Sequence, residues 1–286
     1  MVALLLMGML TLASNILPVK ATGTIYIRAD GSVEPPDKPI SSVDNVTYTF
    51  TGNINDFIVV QRDNIAVDGA GYTVQGAGSG IGVDLSGRNN VTIKNTNITG
   101  FDVGTGIRLG ESSNCNISGN NITNNFYGFL IDRSCNNLVS GNNISNNFYG
   151  FELLYDVSNS AISGNNITNN VVGVYLDSLS RNNVISGNNV TNNGWGVELA
   201  QSYNNTIFGN DILNNTQDGV SLLGSFNNKI YHNNIVGNGQ QADTYDSVNA
   251  WDDGYPSGGN YWSNYVGVDL CRGPYQNITG SDGICD

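Results

Sequence analysis

The side chains able to do chemistry in this sequence are few, and most are carboxylates. Asp132 with Glu152, and Asp177 with Glu198, form two acidic pairs at nearly equal separations along the chain. Paired carboxylates are what glycoside hydrolysis needs, provided they face each other across roughly 5–9.5 Å. No His or Lys cluster accompanies them as a lyase base or proton relay, and His232 is the only histidine. The same scarcity bears on metals. Copper needs imidazole, thioether or thiolate donors, and the three methionines, Met1, Met7 and Met9, all fall in the apolar N-terminal stretch. A copper site is therefore not expected. Calcium takes oxygen donors, and Asp243, Asp246, Asp252, Asp253, Asp282 and Asp286 could supply them, although no complete ligand loop is visible. The remaining chemistry is aromatic. Tyr127, Tyr149, Tyr175 and Trp195 recur beside the acidic positions, a combination suited to sugar rings with their apolar face and hydroxyl rim.

What must position these side chains is an internal repeat. Aligned on the glycine of SGNNIT-like runs, the chain repeats at Gly119, Gly141, Gly164, Gly187 and Gly209, with His232 in that place last. The spacings are 22, 23, 23, 22 and 23 residues, and looser copies precede around Val67–Val74 and Ile93–Ile98. A second glycine column, Gly106, Gly128, Gly150, Gly173, Gly196 and Gly219, keeps the same period. Four apolar columns run through the copies. In the copy around Gly164 they are Ile162, Ile167, Val174 and Leu176, and every other copy offers Ile, Val, Leu or Phe at the matching places. Polar or variable residues alternate with them, a period of two, which reads as strand. No stretch holds a 3.6-residue period long enough for a helix, which excludes the helical repeat arrays. The pattern predicts an all-β chain: a single-stranded right-handed parallel β-helix of about eight rungs of 22–24 residues, with three short strands per turn. In that register the second and fourth residues after each repeat glycine of the second column point outward. Asp132 and Glu152, and Asp177 and Glu198, then sit diagonally on neighbouring rungs, with Tyr127 and Tyr149 on adjacent rungs and Trp195 two further on.

Asparagine fills the corners, with 46 residues in all. Three series recur: Asn120, Asn142, Asn165, Asn188, Asn210 and Asn233; Asn124, Asn146, Asn169, Asn192 and Asn214; Asn137, Asn183, Asn205 and Asn228. Asn tolerates left-handed backbone, and its amide both donates and accepts, so stacked copies can bond each other where carboxylates would repel. These residues are read as architecture. The repeat also writes glycosylation sequons at Asn97, Asn121, Asn143, Asn166 and Asn189. The Asn and hydroxyl residue on either side of each inward apolar residue are expected to be exposed.

Composition narrows the partners. A net charge of −13 with 11 Lys plus Arg argues against nucleic acid and against anionic membrane surfaces, while 39% apolar residues suffice for a core. Residues 1–21 read as a signal peptide or hydrophobic leader, residues 22–60 as an N-terminal cap, 61–238 as the repeats, and 239–286 as an aromatic C-terminal cap and tail. Trp251, Tyr255, Trp262 and Tyr265 are the expected closure of the open hydrophobic end. Four cysteines suit an oxidising, exported setting. Cys271 and Cys285 are the expected disulfide, whereas Cys115 and Cys135 are out of register by two positions.

The rungs carrying SGNNIT and Gly-Val-x-Leu resemble the parallel β-helix repeats of NosD-like and carbohydrate-binding/sugar-hydrolase proteins. The tail WDDGYPSGGNYWSNYVGVD and the later GSDGICD resemble the end of archaeal secreted β-helix proteins of that group, whose tails often run further. The resemblance spans residues 24–286 and implies the fold, with a copper-binding label that the donors here do not match. It leaves three functions open. The leading expectation is a secreted or cell-surface, non-enzymatic rod with a recognition face for carbohydrate, at Tyr127, Tyr149, Tyr175, Trp195 and Glu198. The alternatives are a polysaccharide-degrading glycosidase or lyase using Asp132, Glu152, Asp177 and Glu198, and a self-assembling structural component of the envelope or of filaments.

Overall fold

In a computed structural model, residues 23–267, 271–272 and 278–280 are described. The expected leader, the Cys271–Cys285 disulfide, and Asp282 and Asp286 lie outside the described residues. All regular structure among those residues is β-strand, and it coils into a right-handed parallel β-helix of about nine turns. Most turns contribute three strands to three stacks, and in two turns the second and third run together as the single strands Asn97–Gly110 and Asn121–Asp132. One stack is built from strands such as Asn116–Ser118, Leu138–Ser140, Ala161–Ser163 and Val184–Ser186. The second continues through Asn143–Ser145, Asn166–Thr168 and Asn189–Thr191. The third runs through Tyr149–Leu154, Val172–Leu176, Trp195–Ala200 and Asp218–Leu223.

The in-register stacking places like on like. Ile144 sits on Ile167 and Ile167 on Val190, and all three are fully buried. Phe129 stacks on Phe151 inside the coil, with ring centroids 4.7 Å apart. Fully burying such side chains stabilises by about 1.5–3 kcal/mol each before entropy.

The glycine columns have two different causes. Gly119, Gly141, Gly164, Gly187 and Gly209 have φ of 62–65°, the left-handed region where a Cβ is strained; His232 accepts the same conformation at φ 54°. Gly106, Gly128, Gly150, Gly173 and Gly196 instead sit under the carbonyl oxygen of the next glycine in the column, and a Cβ would lie within 2.8 Å of that oxygen.

Two expectations are revised. Residues 24–60 do not merely cover the first rung. Thr24–Ile27 pairs in parallel with Phe57–Val60, and that strand with Ile81–Asp84, so the segment builds rungs itself. Its closing elements are the short antiparallel pairings of Val33–Glu34 and Ile40–Ser41. At the other end stacking outlasts the sequence pattern: Gln240–Tyr245 and Tyr261–Trp262 add in parallel to the third and second stacks. Trp251 and Trp262 close the core there with centroids 5.4 Å apart, while Tyr255 and Tyr265 are exposed.

The asparagine series also divide. Asn120, Asn142, Asn165, Asn188, Asn210 and Asn233 form a buried ladder in which each Nδ2 donates to the next Oδ1 at 2.9–3.0 Å. The Asn124 series does not stack this way. It holds φ of 55–58° at an exposed bend, and the residues just after it, Asn125, Asn147, Asn170, Asn193 and Asn215, make the second buried ladder at 2.9–3.1 Å. Asn183, Asn205 and Asn228 form a third, interrupted where the Asn137 backbone amide donates to the Ser160 hydroxyl.

Candidate functional site

The third stack presents one outward strip. Register places Arg108, Leu130, Glu152, Tyr175 and Glu198 in a column, one per turn. Two residues further along each strand come Gly110, Asp132 and Leu154, with Asp177 next after Leu176. Before the glycine column stand Thr105, Tyr127, Tyr149, Val172 and Trp195. The strip thus gathers every expected carbohydrate-site and acidic residue, and both acidic pairs are diagonal neighbours as the repeat implied. From Arg108 to Glu198 it spans four rung spacings of about 4.8 Å, about 19 Å in all.

The strip is drier than an outward face should be. Glu152 and Asp132 each retain only 6% exposure. Burial, and then the Asp177 charge, push the Glu152 carboxyl up to about 7, against a hydrogen bond from Tyr127 that pulls it down. Its Oε2 is buried without a hydrogen-bond partner. Burial also raises Glu198, helped by Asp218 and Asp177, and Asp218, helped by Asp243. Tyr149 and Tyr127 rise by burial and by the Glu152 charge, and Tyr175 rises furthest, by burial and then Asp177. Asp132 is held by Arg133 at 2.7 Å and lies 3.6 Å from Arg108.

The aromatics stack on one another. Tyr127 and Tyr149 lie 5.5 Å apart and nearly parallel, and Tyr149 and Tyr175 5.8 Å apart. Phe126 and Phe148 form a parallel pair beside them at 4.8 Å. Sequence reasoning passed over these two phenylalanines, although the repeated NNFYG was a visible signal. Ring faces spent on neighbouring rings present their edges and hydroxyls outward. Register sets Trp195 over Val172 rather than over another ring of the column, and it is half-buried.

On the second stack, Asn97, Asn121, Asn143, Asn166 and Asn189 form an outward column. Nδ2 of Asn143, Asn166 and Asn189 each donates to the preceding Oδ1 at 2.7 Å. The hydroxyl partners depart from expectation: Ser145 and Thr191 are buried and Thr123 and Thr168 half-buried, tucked between this column and the adjoining bend.

Stacked short strands with a polar outward strip define a parallel β-helix protein of the repeat type. The chain belongs to the family described as "Periplasmic copper-binding protein (NosD)", whose model matches residues 63–267. No curated protein matches it in sequence. Among solved structures it is similar to the periplasmic alginate epimerase AlgG (18% identity, TM-score 0.54, covering 74% of this chain and 68% of that one). It is also similar to the DFA-IIIase from Arthrobacter chlorophenolicus A6 in complex with GF2 (15% identity, TM-score 0.58, 74% and 61%). A double mutant of AlgG matches at 19% identity with TM-score 0.54, covering 70% of this chain and 66% of that one, so the chain spans about two thirds or less of these relatives' length. The likeness is one of fold.

Among the described residues the donors do not fit copper. His232 Nε2 lies 2.9 Å from the Ser257 carbonyl oxygen and 3.5 Å from Asp253, with no second soft ligand beside it among the described residues. Cys115 is buried, which pushes its thiol up and away from the thiolate a metal needs. No three His, Cys, Asp or Glu side chains converge among the described residues. Of the calcium candidates, Asp252 accepts from the Gly254 amide and Asp253 from the Ser257 hydroxyl, as turn caps.

Proposed function

We propose that this chain is a secreted or cell-surface carbohydrate-binding protein, and that its glycan lies along the third-stack strip from Arg108 to Trp195. The observation that carries the reading is the alignment of Tyr127, Tyr149, Tyr175, Glu152, Asp177, Glu198 and Trp195 on consecutive turns of one face. Tyrosine hydroxyls, and the Glu152 carboxyl pushed up to about 7, can both donate and accept, which is what a row of sugar hydroxyls demands. Because the tyrosine faces are taken by one another, apolar sugar contact falls to Trp195. Trp195→Ala should weaken binding of soluble neutral polysaccharide by about tenfold, on the order of 1.4 kcal/mol, in affinity electrophoresis or calorimetry. If the wild-type protein binds no polysaccharide in a broad panel, the reading is wrong.

A second reading, turnover of the bound glycan, is favoured by Glu152. A carboxyl held near 7 beside Asp177 has the protonation a general acid needs. Release of reducing sugar by the wild-type protein, lost in Glu152→Gln, would establish it over binding alone.

A further inference from the structure

The chain carries more acceptor sequons than the outward column of the second stack, and the fold treats them unequally. Ten N-x-S/T tripeptides lie wholly within the described residues. In nine of them the middle residue is only 0–1% exposed. It is either an inward apolar residue, as Ile144 and Ile167 are, or a member of a buried asparagine ladder, as Asn205 and Asn215 are. The tenth is Asn45-Val46-Thr47. All three of its residues are exposed, Val46 at 48%.

A transferase must hold both the asparagine amide and the hydroxyl two residues on, so the acceptor tripeptide has to stand clear of its surroundings. On the second stack that is blocked. Asn143–Ser145 and Asn166–Thr168 pair with strands on both sides, and Nδ2 of Asn143 and of Asn166 is committed to the preceding Oδ1 at 2.7 Å. Drawing either tripeptide out would pull an isoleucine from the core. Asn45 instead stands in the turn between Ile40–Ser41 and Thr47–Phe50, where the first stack begins. Its backbone is left-handed, at φ 54°, and its side-chain amide has no hydrogen-bond partner among the described residues. Asp44 Oδ1 accepts from the Val46 and Thr47 amides at 2.9 and 2.8 Å. The turn therefore keeps its shape without engaging either acceptor side chain.

We infer that Asn45 is an N-glycosylation site of the folded chain, and that the regular column from Asn97 to Asn189 stays bare. The donor is a polyprenyl diphosphate-linked oligosaccharide. Asn45 Nδ2 bonds to the anomeric carbon and gives up one proton. The bond from that carbon to the diphosphate oxygen breaks, and its electron pair leaves on the diphosphate. The glycan stands beside Val43, which is 100% exposed, and shields this apolar end of the rod. The assignment is independent of whether the third-stack strip binds carbohydrate.

The test uses a single-subunit oligosaccharyltransferase, with its polyprenyl diphosphate-linked donor, that modifies synthetic peptides of residues 41–50 and 162–171. The folded full chain, made in a host without N-glycosylation, is treated in the same way and its glycopeptides are mapped. Asn277, whose sequon lies partly outside the described residues, is replaced by Gln throughout. A single glycan at Asn45 is expected, with Asn143 and Asn166 bare although the peptide containing Asn166 is modified. Thr47→Ala should lose the glycan and Thr47→Ser keep it, with thermal melts confirming that both variants fold. A bare Asn45 in the folded chain overturns the assignment, as does a glycan that persists in Thr47→Ala. Transfer to Asn143 or Asn166 in the folded chain overturns the claim that the stack protects its sequons.

Discussion

At the scale of single residues, Glu152 is where outward direction and burial part company. Its carboxyl is held near 7 in the folded chain against an ordinary value of 4.5, so the folded state keeps a proton that the unfolded state has released. The stability this gives is present below about pH 4.5 and is lost as pH rises through about 7. Glu198 and Asp218 are raised as well and act in the same direction. Asp44 and Asp68 are lowered, and their contribution is lost only in the opposite sense, below about pH 4. The protein should therefore melt higher at pH 5 than at pH 8. Glu152→Gln should recover on the order of 1–2 kcal/mol at pH 8 while changing little at pH 5. A melting temperature flat from pH 5 to 8 in the wild type would show that Glu152 titrates as a solvated carboxyl.

Within one turn, neighbouring residues have opposite duties, and substitutions should separate them. Ile167 is fully buried and Thr168 only half so. Ile167→Ala should cost about 2–5 kcal/mol by cavity formation, and Thr168→Ala well under about 1 kcal/mol. The next two residues form a sharper pair. Asn170 Oδ1 accepts from the backbone amide and Nδ2 of Asn147, and its own Nδ2 donates to Asn193. Asn170→Ala strands these buried partners, at about 1–3 kcal/mol each at most. Asn169, at φ 58°, serves only the backbone. Asn169→Gly should be tolerated, while Asn170→Gly should be as damaging as Asn170→Ala. Denaturant melts read the difference, and equal effects of glycine at 169 and 170 would refute the division between bend and ladder.

For the whole molecule, each rung contacts chiefly its two neighbours, so stability is a sum of rung and interface terms and the ends open first. Central turns have closely similar partners on both sides. The last turns lean on Gln240–Tyr245 and Tyr261–Trp262, where Tyr245 and Tyr261 are exposed. Hydrogen exchange should be slowest at the amides of Ile144, Ile167 and Val190 and fastest from residue 240 onward. Uniform protection over all turns would mean that the coil opens only as one unit.

Periodicity by itself determined most of this architecture. A 22- or 23-residue repeat with four apolar columns has one economical solution, because inward residues that recur once per turn must lie on one another; the parallel stacking of Ile144, Ile167 and Val190 follows. The outward strip and its diagonal acidic pairs were legible for the same reason. What the sequence could not decide is what depends on contacts between rungs that do not look alike. Residues 24–60 lack the repeat pattern, yet their backbone hydrogen bonds complete the same stacks. Asn124 and Asn125 are the same residue type, and only the backbone path assigns one to the bend and its neighbour to the buried ladder. Glu152 and Asp132 point outward by alternation, and only the tertiary packing buries them, with Arg133 and Arg108 beside Asp132.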